Sequence, residues 1–294
     1  MTIVLTNCLG ATFLAVYIFF LGIWKETQAP LTRETIYGMK GFSKLAVPGI
    51  IMMCAEWWGF EVNVFLAGLF GVDALAAYTL VFTVYAFLYT VPLSMSISAS
   101  VKVGNAIGAE NVSKAKLVSR LIISLAVAAQ IILSSIIFST RNWWPYLFTS
   151  DENVISLVGD ITAIFCIFAV IDTAQTTLAG ILRGCGKQLI GAVAYLISFY
   201  AVGLSVGIYL ALIRDMGILG EWIGLTCAIS SCFLLVGSYY LCLFNWEAVI
   251  ADSKRRLEES EAKAAVELVN EEDAQEIEMN PLTENENEPV NFEQ

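Results

Sequence analysis

The chain of 294 residues is 57% hydrophobic and only 15% charged, with a mean hydropathy of +0.71. That balance excludes a soluble domain wrapped around a core and describes a polytopic membrane protein. The net charge of −11 arises at one end: residues 1–245 carry 12 Lys/Arg and 12 Asp/Glu, residues 246–294 carry 4 and 15, so the chain offers no basic surface to nucleic acid.

Windows of about 20 apolar residues place seven spans, near 2–24, 45–70, 74–99, 118–138, 154–182, 189–213 and 218–243. Nothing basic precedes the first and Lys25 follows it, which fits a span and not a cleavable leader. A loop over 25–43 follows. The second span contains Cys-Ala-Glu-Trp-Trp-Gly-Phe-Glu at 54–61, with Glu56 and Glu61 inside an apolar run. A carboxylate at that depth costs about 2.5–3.5 kcal/mol unless it faces a partner or a wet cavity. Residues 100–117, with Gly104, Gly108 and several lysines, read as a cytoplasmic linker along the membrane surface. Trp143 and Trp144 in 139–153 read as an interfacial aromatic belt. The fifth span is long and carries Asp160 and Asp172. From Trp246 the chain turns polar, with a charged helix expected over 252–269 and an acidic disordered tail over 270–294.

Numbering the loops alternately, one side collects 13 basic residues, from Lys25 to Arg256, and the other only Arg141 and Arg214. By the positive-inside rule the rich side is cytoplasmic, which puts the N-terminus outside and the tail inside.

Three acids read as lying at mid-membrane depth: Glu56, Glu61 and Asp172. Glu56 and Glu61 are five residues apart and so about 140° apart around a helix. They converge on one site only if the helix bends, and Pro48 and Gly59 give it places to do so. Asp172 has Gln175 and Thr176 at i+3 and i+4, a polar stripe suited to lining a cavity. The alternative role of such a stripe is to hydrogen-bond neighbouring helices. No Lys or Arg stands within the spans to neutralise these acids. An unpaired buried carboxyl is neutralised by a proton or by a cation, and exchange of one for the other is the physical basis of a proton-coupled cation antiporter. Histidine is absent, so carboxyls would do this work. Trp57 and Tyr85 offer aromatic faces to a cation, with packing as their other role. The seven cysteines form no CxxC pair, and no nucleophile–base pair, phosphate loop or metal-ligand cluster points to an enzyme or a bound cofactor.

EWWGFEVNVFLAGLFG at 56–71, SVKVGNAIGAENVSKAK at 100–116, GILRGCGKQLIGAVAY at 180–195 and KLAVP at 44–48 resemble the second half of eukaryotic multidrug and toxic compound extrusion (MATE) transporters. The resemblance runs over about 2–246. It implies an all-α polytopic fold: residues 1–24 as the last helix of a first lobe, 25–43 as the interlobe loop, 44–245 as a six-helix second lobe, and 246–294 as an acidic cytoplasmic tail. It also implies efflux of organic cations, drugs and other amphipathic xenobiotics, with H⁺ preferred to Na⁺ as coupling ion and the plasma membrane preferred to the vacuolar one. The family's E-W-W-x-x-E acids fall on Glu56 and Glu61, and the acid before its L-R-G-x-G-x-Q loop falls on Asp172. A further family glutamate is Thr83 here, a family asparagine is Tyr195 and a helix proline is Ser205. Five first-lobe helices have no counterpart, so truncation, or pairing with a second chain, is expected. A transport-dead or regulatory fragment is the first alternative. A seven-helix receptor is the second, and the absence of Asp-Arg-Tyr and Asn-Pro-x-x-Tyr at the relevant ends speaks against it.

Overall fold

The computed structural model describes residues 2–22, 33–259 and 262. The first part of the expected 25–43 loop and almost all of the tail beyond 259 lie outside these. The helices are α1 (Thr2–Phe20), α2 (Arg33–Leu69), α3 (Val72–Leu88), α4 (Thr90–Gly108), α5 (Val112–Ser139), α6 (Glu152–Gly184), α7 (Gln188–Ile213), α8 (Gly217–Leu243) and α9 (246–259). Six stretches are long and apolar enough to cross a membrane: Ala46–Leu69 of α2, the α3–α4 pair, and α5 to α8; Val4–Phe20 is a shorter apolar helix. The chain is therefore an all-α polytopic membrane protein, as its hydropathy predicts.

Two expectations are corrected. Helix α2 begins at Arg33, inside the stretch read as loop. Between Pro30 and Pro48 every residue keeps the backbone N–H that a helix needs. Residues 100–117 are not a surface linker: α4 continues to Gly108, and α5 starts at Val112 after a three-residue turn. Ala99, Val103, Ala106 and Ile107 are buried while Lys102 is exposed, so this polar-looking segment is an amphipathic helix end. The turn places Glu110 at φ 55°, and Asn111 Oδ1 caps α5 by accepting the Lys114 N–H at 2.8 Å.

Residues divide by contact into two units, Met1–Val47 and Pro48–Gln294. In the first, α1 carries no charged residue and exposes Leu9, Phe13 and Phe20. In the second, α6 is central. It packs against α3, α4, α5 and α8, and half of its most apolar window is buried, against 22% for α5. Asp151 starts α6 by accepting the Asn153 N–H at 2.9 Å.

Two seams of small residues set the helix spacing. At the first, Gly180 and Gly184 of α6 meet Ser96 and Ser100 of α4; a Cβ on Gly184 would lie 2.5 Å from the Ser100 carbonyl oxygen. At the second, a Cβ on Gly224 of α8 would lie 2.5 Å from Gly207 Cα on α7, and one on Gly220 would lie 2.6 Å from Ala211 N. Lipid provides no hydrophobic drive between helices, so close backbone approach of this kind holds a membrane bundle together. Helix α7 widens to π-helical turns at Ile197–Gly203 and Tyr209–Ile213, on either side of Gly207.

Candidate functional site

The first seam positions the polar centre. With Gly180 bare, Ser96 sits against α6 and its hydroxyl donates to the Thr176 carbonyl at 2.6 Å. Arg183 reaches back about one turn along α6 and donates from a guanidinium nitrogen to Ser96 Oγ at 2.7 Å. The guanidinium is thereby carried away from the helix end and into the bundle, as long basic side chains near span ends can be. It lines a narrow cleft together with Met52, Glu56, Tyr89, Thr176 and Tyr195.

The two acids have different surroundings. Asp172 is 1% exposed and has one donor on each oxygen: the Tyr85 hydroxyl donates to Oδ2 at 3.1 Å and the Thr176 hydroxyl to Oδ1 at 3.3 Å. It does not line the cleft itself but stands one turn behind Thr176, which does. Glu56 is 5% exposed and lines the cleft, and its Oε1 is buried with no hydrogen-bond partner among the described residues. No ion pair joins Arg183 to either acid among the described residues. The cleft and its wall thus hold two carboxyls and one guanidinium. If all three are ionised, one negative charge is left over. A cleft so charged can accept one proton or one monovalent cation.

The other residues singled out in the sequence separate around this centre. Glu61 is exposed, unlike Glu56 and Asp172. Five residues along the continuous helix α2 turn it away from Glu56, and α2 holds its helical pattern through both Pro48 and Gly59. Tyr85 is buried as the Asp172 donor, against the rings of Phe60 at 5.2 Å and Phe168 at 5.4 Å. Trp57 is 38% exposed, edge-on to Tyr89 at 6.1 Å, and Tyr89 lines the cleft. Thr176 lines the cleft, whereas Gln175, about 100° further round, points to α8 and donates to Cys232 Sγ at 3.1 Å. Asp160 is exposed.

Two residues escape a reading by sequence pattern. Hydropathy places Arg183 in a cytoplasmic loop, yet it is a cation inside the bundle. Its signal is the pairing of Gly180-x-x-x-Gly184 with Ser96-x-x-x-Ser100, which lets α4 come close enough to draw the side chain inward. The other is Glu221 of α8, 0% exposed, so burial picks out Glu56, Asp172 and Glu221 and leaves out Glu61.

A family model described as MatE matches residues 48–209. An uncharacterized transporter of Schizosaccharomyces pombe is 34% identical over 260 residues, which are 88% of this chain and 48% of that protein. Multidrug and toxin extrusion protein 1 of Oryctolagus cuniculus is 32% identical over 237 residues, 80% of this chain and 41% of that one. The crystal structure of the eukaryotic MATE transporter AtDTX14 superposes with a TM-score of 0.77 at 28% identity, over 84% of this chain and 56% of that one. The chain spans about half the length of the curated relatives it matches.

Proposed function

Since the chain belongs to the MatE family of membrane transporters, we propose that it takes part in proton-coupled efflux of organic cations and related amphipathic drugs, with Glu56 as the group that exchanges a proton for the cation. The observation that carries this reading is the contrast at the cleft. Asp172 has a donor on each of its two oxygens, from Tyr85 and Thr176, and is held in place behind the cleft wall. Glu56 has an unpartnered oxygen at the cleft wall and is the acid free to change partner. A proton or an organic cation each cancels its charge, and the two cannot do so together. That mutual exclusion is antiport. The rings of Tyr89 and Tyr195 beside Glu56 add faces on which a cation can rest.

In this reading residues 44–245 form the second lobe, 25–43 leads into it, and 1–24 closes a first lobe. The opposite wall of the transport path comes from that lobe, in a longer protein or in a second chain. The basic loops lie in the cytoplasm, and the N-terminus lies outside. Glu61, at the exposed face of α2, assists as a surface charge.

The test uses the purified chain in lipid vesicles, alone and in its full-length setting, with a pH gradient across the bilayer. Efflux of a labelled organic cation such as tetraethylammonium should follow the proton gradient and stop in Glu56→Gln. Gradient-driven efflux that survives both Glu56→Gln and Asp172→Asn would overturn the roles of the two acids. Efflux driven by sodium alone would overturn the coupling ion.

A further inference from the structure

Exchange at the cleft leaves one buried acid without a task. Glu221 lies about one turn from the start of α8, is 0% exposed, and both of its carboxyl oxygens lack a hydrogen-bond partner among the described residues. The indole N–H of the adjacent Trp222 is likewise buried and unpartnered. No ion pair among the described residues includes Glu221.

The elements packed around it explain the isolation. From α7 the facing residues at the close contact are Gly207, Leu210 and Ala211, none of them ionisable, and a Cβ on Gly207 would sit 3.8 Å from Glu221 Cα. From α3 comes Tyr78, whose ring is 5.6 Å from Trp222 and whose hydroxyl already donates to the Phe60 carbonyl at 3.4 Å. From α2, the nearby acid Glu61 is exposed. From α6 come Phe165 and Phe168, at 5.6 and 5.8 Å from the Trp222 ring. The charged residues of the preceding turn, Arg214 and Asp215, are exposed. The same two phenylalanines also pack on Tyr85, at 6.4 and 5.4 Å, and Tyr85 is the donor to Asp172. An aromatic layer therefore lies between Trp222 and the polar centre.

We propose that Glu221, enclosed with both carboxyl oxygens unpartnered, is a second proton-carrying carboxyl of this chain, on a different helix from Glu56 and Asp172. A carboxylate closed off without a donor or a counter-ion costs several kcal/mol, and something must neutralise it. A proton does so with no further ligand. A hard metal cation requires several oxygen ligands, and among the described residues no group of three or more His, Cys, Asp or Glu side chains is placed to hold one. At the α7–α8 glycine seam the backbone around Gly207 packs directly against Glu221. Protonation of Glu221 is separate from exchange at Glu56 and does not depend on it.

The test reads protonation itself. The full chain is placed in lipid nanodiscs near neutral pH, and infrared difference spectra are recorded in the carboxylic-acid C=O region for the native chain, Glu221→Gln and Glu221→Asp. One carboxyl's share of the protonated band should vanish in Glu221→Gln. It should change frequency in Glu221→Asp, which keeps the acid and serves alone should the amide variant not fold. A region unchanged in either folded variant would overturn the proposal. So would loss of the native band on adding sodium at constant pH, which would make the site one for a metal cation. Cation binding and efflux play no part in the readout, so Glu221 can carry a proton whether or not Glu56 is the exchange group.

Discussion

Replacing Glu56 by Gln keeps the shape of the side chain and removes its charge. The position is 5% exposed, and one carboxyl oxygen has no partner. An ionised carboxylate there, without a cation, would cost about 2.5–3.5 kcal/mol on insertion scales, and the amide would release that cost as added stability. A carboxyl that already carries a proton differs from the amide by at most one hydrogen bond, about 1 kcal/mol. Exchange at Glu56 therefore predicts a split outcome. With no organic cation present, thermal unfolding of Glu56→Gln in detergent should differ from the native chain by about 1 kcal/mol or less. With a saturating organic cation, the native chain should be stabilised by the binding linkage, about 2.7 kcal/mol at a hundred times Kd, and the variant should not. Paired unfolding scans with and without tetraethylammonium measure both quantities. A variant that gains about 3 kcal/mol in the absence of cation would show that Glu56 is ionised at rest. A variant that keeps the full ligand stabilisation would show that the cation binds elsewhere.

Other expectations follow from the same contacts. Arg183→Gln removes a charged hydrogen bond to Ser96 Oγ and should destabilise the chain by about 1.5–3 kcal/mol; with the competing cation gone, tetraethylammonium should bind several-fold tighter by equilibrium dialysis, and weaker binding would refute a shared cleft. Gly224→Val drives a side chain into Gly207, whose Cα would lie 2.5 Å from the new Cβ, and should cost about 1–3 kcal/mol in detergent unfolding, whereas Gly68→Val, with open space around it, should cost far less. At the C-terminal side, the Lys187 ammonium hydrogen-bonded to Asp252 at 3.0 Å, with Arg256 at 2.7 Å and Arg255 at 3.0 Å, holds that carboxyl below the ordinary carboxylate range. A depressed native value means that the stabilisation of α9 is in place above the ordinary Asp value, about 3.9, and is lost as pH falls through the lowered one. A spin label attached through Ala251→Cys should thus gain mobility only under strong acid, and gain it at neutral pH in Asp252→Asn; mobility that rises toward alkaline pH instead would contradict the sign.

Sequence pattern exposes some of this architecture and hides the rest for definite reasons. Hydropathy locates the spans because every backbone group in a bilayer must be satisfied within a helix, which ties apolar length to helix length. It misreads 100–117 because Lys102, Lys114 and Lys116 lower the average, while the burial of Val103 and Ala106 depends on which face meets α6. Helical spacing groups Asp172 with Thr176 correctly but also enlists Gln175, which serves α8. Arg183 looks like a loop residue until the glycine seam draws Ser96 to it. Glu221 looks shallow by its place in the span, and only the close approach of α7 at Gly207 and its lack of exposure show that it is enclosed.

The central claim is that cation and proton exclude one another at Glu56. Proton release on cation binding tests it most directly. Tetraethylammonium is added to the reconstituted chain in weakly buffered solution, and the pH change is followed with an indicator dye alongside the amount of cation bound. The account predicts about one proton released per cation bound, and none in Glu56→Gln. Stoichiometric cation binding with no proton release, or release undiminished in Glu56→Gln, would contradict it.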